Sequence, residues 1–319
     1  MTARRTDESG VALLITLLVL VLIVVMAMEI FRTGSRAART GAYGRDSIRA
    51  TLLAEGGVAA ATVALREDAK NNGYDTLEEV WSRPVPPIEL GDGDILVAVE
   101  DEERKVNLNR LVLPNGNAPD EQRLAVFRRL LEILDIEPSL ADAVVDWLDN
   151  DDTSRVGGAE SSHYLSLPFP YRAKNDFFDT QEELMLVRGM TAERFGKLSP
   201  FVTIHSSGMV NINTAPREVL MALSAGQDAA EAGEIGAATA DQIIEYRKDK
   251  PFQNAREIGN VSPFLKDLYD RTRFRDLIDV KGTAFHVRST GNVSGTYRTI
   301  DTVGTRAGND IQWRYRRLE

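Results

Sequence analysis

The sequence contains no cysteine among its 319 residues. This absence excludes a disulfide framework, a zinc ribbon, an iron–sulfur cluster and a thiol nucleophile. Basic residues are scarce relative to acidic ones, because 38 Lys and Arg face 48 Asp and Glu and leave a net charge of −10. Such a charge opposes association with the phosphate backbone of nucleic acids. We therefore expect neither a disulfide-stabilised scaffold nor a protein that coats DNA or RNA.

Motifs for catalysis are lacking as well. The three histidines, His163, His205 and His286, are dispersed and have no metal-ligand spacing. No GxSxG, HExxH, P-loop or GxGxxG motif stands in a usable context. The chain is long enough for roughly two domains, but the sequence predicts no enzyme.

One apolar stretch dominates the amino-terminal part of the chain. Residues 11–28 read VALLITLLVLVLIVVMAM and contain no charge. As a helix they span about 27 Å, enough to cross a hydrocarbon core of roughly 30 Å. The stretch is long for a signal peptide and no A-x-A-like cleavage site follows it. Arg4 and Arg5 precede it and favour a cytoplasmic amino terminus, so we expect a retained membrane anchor and an exported remainder.

The same helix is predicted to continue far beyond the membrane. No proline occurs before Pro84, and residues 29–70 are rich in Ala, Arg and Leu. Ile48, Leu52 and Val63 form a stripe on this segment. We expect one helix of about 60 residues over 11–70, which would be roughly 90 Å long.

A short polar leader that ends in Gly10, followed at once by the apolar helix, resembles the prepilin-peptidase substrate of type IV pilins and type II secretion pseudopilins. The resemblance implies a leader over 1–10, cleavage between Gly10 and Val11, and methylation of the new amino terminus. Most members carry Glu at the fifth mature residue, where this chain has Ile15. A chain that lacks this Glu and is longer than 300 residues resembles the general secretion pathway protein K family of minor pseudopilins.

The exported part alternates between strand and helix patterns. Residues 95–109 predict a strand, a turn and a second strand, and alternation returns at 285–303 and 311–318. Helical patterns fill the interval between them. The sequence words VDWLDNDD, GGAE, YLSL, YRAKN and FDTQEELMLVRGM between Val145 and Met190, and VNINTAP at 210–216, are similar to protein K.

The expected fold class is α+β, a long transmembrane helix with a pilin-like antiparallel sheet interrupted by a large all-α insertion. The pilin-like domain takes residues 71–108 and 281–319. The resemblance implies two SAM-like, helix-hairpin-helix-like domains in the insertion, at 109–205 and 206–280.

Acidic residues gather at one place in the insertion. Eight acids and one base, Arg155, lie between Asp135 and Glu160. Clustered oxygens without cysteine suit a hard cation, and outside the cytoplasm calcium is the natural candidate. A solvated acidic loop explains the spacing equally well. The resemblance to protein K implies structural calcium with Asp149, Asp151 and Glu160 as ligands, joined by Asp146 and Asn175.

These features predict a non-enzymatic minor pseudopilin at the tip of the type II secretion pseudopilus, in the inner membrane with its body in the periplasm. The resemblance implies minor pseudopilins I and J, other pseudopilins and prepilin peptidase as partners, and a role in capping or priming assembly. The alternative is a membrane-anchored DNA-uptake or type IV pilus component, because VNINTAPREVLMAL and the segment after it resemble a helix-hairpin-helix. Its hairpin-like stretch at 204–208 lacks paired glycines, so we expect no nucleic-acid partner.

Overall fold

The computed structural model describes residues 8–71, 73–223, 233–308 and 310–319, so residues 1–7 of the predicted leader lie outside the described residues. The fold is mixed helix and sheet. The described α-helices are α1 Glu8–Asn71, α2 Glu121–Ile133, α3 Leu140–Leu148, α4 Ser161–Leu165, α5 Ala192–Leu198, α6 Arg217–Ala222, α7 Ala237–Asp249 and α8 Pro263–Arg271. The described strands are β1 Ile88–Leu90, β2 Gly93–Asp101, β3 Val106–Asn107, β4 Val202–Thr203, β5 Val210–Asn211, β6 Ile278–Asp279, β7 Ala284–Val293, β8 Thr296–Ala307 and β9 Asp310–Leu318.

Helix α1 is continuous over 64 residues, as the absence of proline predicts. Among its described side chains the first buried one is Ala50. The helix therefore has two halves, an exposed half that contains the apolar stretch and a half that packs on the sheet.

The packed half of α1 meets the sheet through small residues. Ala54 and Ala61 are buried there, and a Cβ at Gly57 would overlap the Ser289 hydroxyl and lie 2.8 Å from Val97 Cγ2. On the sheet side, a Cβ at Gly291 would overlap the Ala50 carbonyl oxygen. Helix and sheet can approach this closely only because these positions have little or no side chain.

The predicted stripe on α1 does not pack on the sheet. Ile48, Leu52 and Val63 are each more than 60% exposed and point away from the sheet. Larger side chains would hold the helix farther from the strands, so the small residues take the buried side.

The main sheet has five strands in the order β1-β2-β7-β8-β9, and every neighbouring pair is antiparallel. The turn between β7 and β8 is Ser294-Gly295, where both residues have positive φ (53° and 80°). Positive φ at both central residues suits the right-handed twist of a two-residue hairpin. The Gly291-Asn292 pair lies inside β7.

The predicted strand–turn–strand over 95–109 is confirmed, although its two strands do not pair with each other. Strand β2 forms, but the chain then enters a 3-10 turn at Glu102–Arg104, and β3 pairs in parallel with β4. A second parallel pair joins β5 to β6. The insertion is therefore not purely α-helical. These two pairs bracket its two predicted segments, because each joins residues close to the beginning and the end of one segment.

The helical body, residues 109–280, is attached at one end of the sheet. It is inserted between β2 and β7, which are paired neighbours with Asp101 opposite Phe285. Leu65, near the carboxyl end of α1, shares a buried cluster with Phe285 and Ile311. The body therefore lies at the end of the sheet that is farthest from the apolar half of α1.

Side chains cap some of the helices in the body. The Asp120 side chain caps α2 through the Arg123 amide, and Thr180 with Glu183 forms a capping box. Ser139, before α3, makes no capping hydrogen bond, and α7 starts at Ala237 after Gly236. One continuous hydrophobic core runs from Val106 to Val280.

A buried polar layer joins the sheet to the helical body. Asp101, at the end of β2, accepts hydrogen bonds from Asn211 Nδ2 (2.9 Å) and Thr214 Oγ1 (2.7 Å). Asp75 accepts from the Gly282 amide (2.8 Å) and from the Arg306 guanidinium. Burial is the main cause that raises the pKa of Asp101 to about 6. The joint between the two parts is thus held by buried charges.

Candidate metal centre

The acidic side chains of the predicted site are placed by two helix ends. Asp146 lies in the last turn of α3, and Asp149 ends that helix with its amide bonded to the Val145 carbonyl (2.9 Å). Glu160 precedes α4 at the N-cap position, yet its side chain makes no capping hydrogen bond. The loop between the helices carries Asp151. Three carboxylates are therefore held at helix ends, on either side of the loop that carries Asp151.

The structure brings the three principal predicted ligands together. One carboxylate oxygen from each of Asp149, Asp151 and Glu160 lies within 4.8 Å of the other two. Asp149 and Glu160 are buried, with 5% and 2% exposure, whereas Asp151 is exposed. A group with two buried acids and one open side can be reached by a small ion from solvent.

Several oxygens at this site have no donor in the described part of the chain. They are buried, and they are Asp146 Oδ1, Asp149 Oδ1, both carboxylate oxygens of Glu160, and Asn175 Oδ1. A buried carboxylate without a partner is costly, so such groups are normally hydrogen-bonded or coordinate a cation. All four residues belong to the predicted ligand set.

Asn175 is fixed beside the cluster by its other polar groups. Its amide N–H donates to the Trp147 carbonyl (3.0 Å), and Nδ2 donates to the Asp151 carbonyl (3.1 Å). The residue has a positive φ of 49°. These contacts leave Oδ1 as the free atom of the side chain.

Asp146 is held from one side only. Its Oδ2 accepts from the Arg155 amide (3.0 Å) and the Ser154 hydroxyl (3.3 Å), while Oδ1 accepts nothing among the described residues. A Cβ at Gly158 would overlap Oδ2 and lie 2.6 Å from Cγ. The loop passes so close to the carboxylate that only glycine fits there.

The electrostatics of the cluster favour an added positive charge. Burial, and then the neighbouring acids Asp146 and Asp149, raise the pKa of Glu160 to about 7. Burial and Asp151 raise the pKa of Asp149 to about 6. Arg155 forms ion pairs with Glu121 and Asp142 and with none of the four acids of the cluster. A cation at the cluster would stabilise the ionised carboxylates.

The donor set fits a hard cation. Carboxylate and amide oxygens are the ligands that Ca²⁺ prefers, usually six to eight of them. The five predicted residues supply oxygens only, and backbone carbonyls or water would complete such a shell. The residues present therefore fit calcium better than a metal that prefers nitrogen or sulfur.

Two further acid groups were not found from sequence, and both already hold a cation of the protein. In the Glu100–Glu102–His286 group, Lys105 Nζ lies 2.7 Å from Glu100 and 2.9 Å from Glu102. In the Asp68–Asp75–Glu79 group, the Arg306 guanidinium fills this role. His286 and Arg306 come from strands far along the chain from the acids that they meet, so no local spacing could have indicated these contacts. Neither group resembles the site around Glu160.

The predicted processing positions lie on the exposed half of α1. Val11 and Ile15 are 58% and 56% exposed, and a Cβ at Gly10 would meet nothing within 4 Å. The helix that contains them includes an 18-residue window with a mean hydropathy of 3.3 and no buried residue, which satisfies the length and composition of a membrane span. Cleavage and methylation are not visible in a fold and stay predictions.

The hairpin-like stretch at 204–208 uses its backbone amides internally. The His205 amide donates to Thr203 Oγ1 (3.2 Å), and the Ser207 amide donates to Glu103 Oε1 (2.9 Å). A helix-hairpin-helix that binds DNA presents such amides to phosphate. Here a buried carboxylate occupies the acceptor position, which opposes a phosphate at the same place.

Comparison with known proteins decides the family. Residues 104–207 and 210–280 match the two family models for "Type II secretion system (T2SS), protein K". Over 263 residues, the protein K of Pseudomonas aeruginosa is 33% identical, covering 78% of this chain and 75% of the relative. The chain belongs to the protein K family of type II secretion minor pseudopilins.

Other members extend this likeness along the chain. The protein K of Aeromonas hydrophila is 28% identical over 335 residues, covering 98% of this chain and 97% of that protein. Among solved structures, a chain of the GspK-GspI-GspJ complex from enterotoxigenic Escherichia coli superposes with a TM-score of 0.72. It is 22% identical, and the match covers 89% of this chain and 99% of that one. The likeness shows that the protein K fold includes both the sheet and the helical body.

Proposed function

We propose that this protein is the non-enzymatic tip subunit of a type II secretion pseudopilus and that it caps or primes pseudopilus assembly. In this account prepilin peptidase cleaves between Gly10 and Val11, and Val11 becomes the methylated amino terminus. The apolar half of α1 spans the inner membrane, and the sheet and helical body project into the periplasm. Membership of the protein K family supports this assignment.

The position of the helical body is the observation that carries the proposal. The body is attached beyond Asp101 and Phe285, at the end of the sheet that lies over the carboxyl end of α1. From Met28 to Asp68 the helix rises about 60 Å, so the body stands far from the membrane end. A subunit stacked above would have to pack where the body already is, which supports a terminal position.

The amino-terminal region supports the same position. In pilins the fifth-residue Glu is thought to meet the amino terminus of a neighbouring subunit. Ile15 has no charge to offer such a partner. A subunit without this contact is suited to an end of the filament, where one neighbour is missing.

Partners follow from the solved relative. That chain is assembled with GspI and GspJ. We extend this to the minor pseudopilins I and J that accompany this protein. We also propose that the body consists of two SAM-like domains, which is supported by the short parallel pairs β3–β4 and β5–β6 that bracket its two segments.

Calcium is proposed as a structural ion at Asp149, Asp151 and Glu160, with Asp146 and Asn175 nearby. The buried oxygens without donors support this. The ion would neutralise the acids and fix the loop between α3 and α4. The proposed role is architectural, because the ion would hold the loop in place.

Assembly tests the proposal. A chain with residues 109–280 deleted keeps the apolar helix and the sheet strands but loses the body. We expect it to insert in the membrane and to fail to prime filaments in a strain that lacks the intact protein. Normal filament number and length with the deleted chain would contradict a capping or priming role. Co-purification of the intact chain with I and J tests the partners separately.

A further inference from the structure

Three arginines form a stripe on α1 just beyond its apolar stretch. Arg32, Arg36 and Arg39 follow the i, i+4, i+7 spacing that places residues on one side of a helix. All three are exposed. They lie on the half of the helix that does not pack on the sheet.

The three arginines form no ion pair within the described residues, and Glu29, one turn before Arg32, is the nearest acid along the helix. The segment 30–44 contains no Asp or Glu. Going up the helix, the first ion pairs of the described chain are made by Arg45 with Asp46 (3.4 Å) and by Arg49 with Asp92 (2.6 Å). Glu29 is one acid against three arginines, so this part of the helix keeps a net positive charge.

The height of the stripe matches a membrane surface. With Met28 as the last residue of the apolar stretch, Arg32 lies about 6 Å and Arg36 about 12 Å farther along the helix. The headgroup layer of a bilayer is roughly 5–8 Å thick on each side, and arginine extends its stem to place its charge there. Arg32 and Arg36 therefore reach the level of lipid phosphates.

We propose that the lower part of this arginine stripe, Arg32 and Arg36, binds the phosphate groups of anionic phospholipids on the exported side of the membrane. The proposal rests on the membrane anchoring assigned to α1 above. Guanidinium groups pair with phosphate through two parallel hydrogen bonds, so the chemistry of the stripe matches the headgroup.

An acidic helix of another pseudopilin is the competing occupant. Lipid is favoured because the stripe starts directly where the apolar stretch stops, and lipid is then the first neighbour of the inserted subunit. Arginines on the exported side also oppose the usual charge bias, although long exported domains cross regardless of it. Contact with lipid headgroups provides these exposed arginines with negatively charged partners at the height where they lie.

Lipid selectivity measures the contact. The full chain is reconstituted in phosphatidylcholine bilayers, and spin-labelled phosphatidylglycerol and phosphatidylcholine report how strongly each lipid associates with the protein. We expect selectivity of roughly fivefold for phosphatidylglycerol at low salt, decreasing to about one in R32Q/R36Q. Gln has nearly the helix propensity of Arg, so the helix is preserved. Salt at about 0.5 M should weaken the preference of the wild-type chain.

The double variant R45Q/R49Q is the matched control, since it removes the same charge from the same helix at arginines that pair with Asp46 and Asp92. Its selectivity should equal that of the wild-type chain. Unchanged selectivity in R32Q/R36Q, or an equal decrease in the control, overturns the proposal. If R32Q/R36Q keeps its selectivity but no longer co-purifies with another pseudopilin, the stripe binds protein instead. If carbonate extracts the wild-type chain from the bilayer, the membrane anchoring itself is wrong.

Discussion

Arg306 and Asp75 form a two-point ion pair inside the protein, with Nη1 2.9 Å from Oδ2 and Nη2 2.9 Å from Oδ1. The two side chains are 5% and 1% exposed. Arg306 belongs to β8, and Asp75 follows α1. The same carboxylate accepts the Gly282 amide, where the chain returns from the helical body. One ion pair thus ties the helix, the sheet and the body together.

Replacing Arg306 with Met should destabilise the fold strongly. The substitution leaves Asp75 buried without its counter-charge, which typically costs about 3–5 kcal/mol. R66M is the matched control, because Arg66 pairs with the exposed Asp310 and its loss should cost less than about 1 kcal/mol. Urea denaturation of the purified proteins gives both free energies of unfolding. An equal decrease in the free energy of unfolding for R306M and R66M would show that the buried pair stabilises the protein no more than the exposed pair.

The same cluster should make stability fall as pH rises. Burial, then Glu79 and Asp75, raise the pKa of Asp68 to about 8, because Arg306 cannot neutralise two carboxylates. An unfolded aspartate has a pKa near 3.9, so folding retains a proton between about pH 4 and 8. This contribution is complete below pH 4 and is lost as pH rises through 8, with a slope of up to about 1.4 kcal/mol per pH unit.

Asp68→Asn tests that slope, since asparagine is neutral at every pH. We expect a shallower decrease in Tm between pH 5 and 8 than in the wild type, with calcium saturating in both. D310N, at an exposed acid paired with Arg66, should leave the slope unchanged. Parallel curves of Tm against pH for D68N and the wild type would contradict the prediction, because they would mean that Asp68 is already ionised in the folded protein at pH 5.

Two adjacent glycines on α1 should respond to alanine in opposite ways. A Cβ at Gly57 would overlap Ser289, whereas a Cβ at Gly56 has its nearest neighbour, Ile95 Cδ1, at 3.9 Å. G56A should stabilise the protein by about 0.5–1 kcal/mol through helix propensity. G57A should destabilise it by about 1–3 kcal/mol through overpacking. Thermal unfolding compares the two variants directly. An increase in stability for both would contradict the close contact between α1 and the sheet at Gly57.

Calcium should stabilise the wild-type protein. At a concentration 100 times the Kd, binding to the folded state contributes about 2.7 kcal/mol, which corresponds to roughly 5–10 °C in Tm for a protein of this size. E160Q removes one charge from the cluster and should abolish most of the shift. E137Q, at an exposed acid outside the cluster, should retain it. An unchanged wild-type Tm at millimolar calcium would contradict calcium binding at this cluster.

Parts of this structure could be predicted because their causes are local. The apolar run and the absence of proline predict α1, and alternation predicts β7, β8 and β9. The predicted ligands Asp146, Asp149, Asp151 and Glu160 could be named because they lie within one loop and its flanking helices, and the family resemblance selected them. The structure then placed Asp149, Asp151 and Glu160 together.

Other parts depend on long-range packing and were missed. Asp68 and Arg306 meet although they are 238 positions apart, and no local pattern connects them. The exposure of the stripe through Ile48 and Leu52 has a related cause. Periodicity expects the largest apolar side chains to be buried, but a helix that lies very close to a sheet buries alanine and glycine instead.

The location of the subunit in assembled filaments tests the central claim most directly. A gold-labelled epitope at the carboxyl terminus, viewed on sheared pseudopili, reports where each copy lies. We predict label at one end of each filament, in a number that does not grow with filament length. Label spread along the filament, increasing with its length, would contradict the assignment of this protein to the tip.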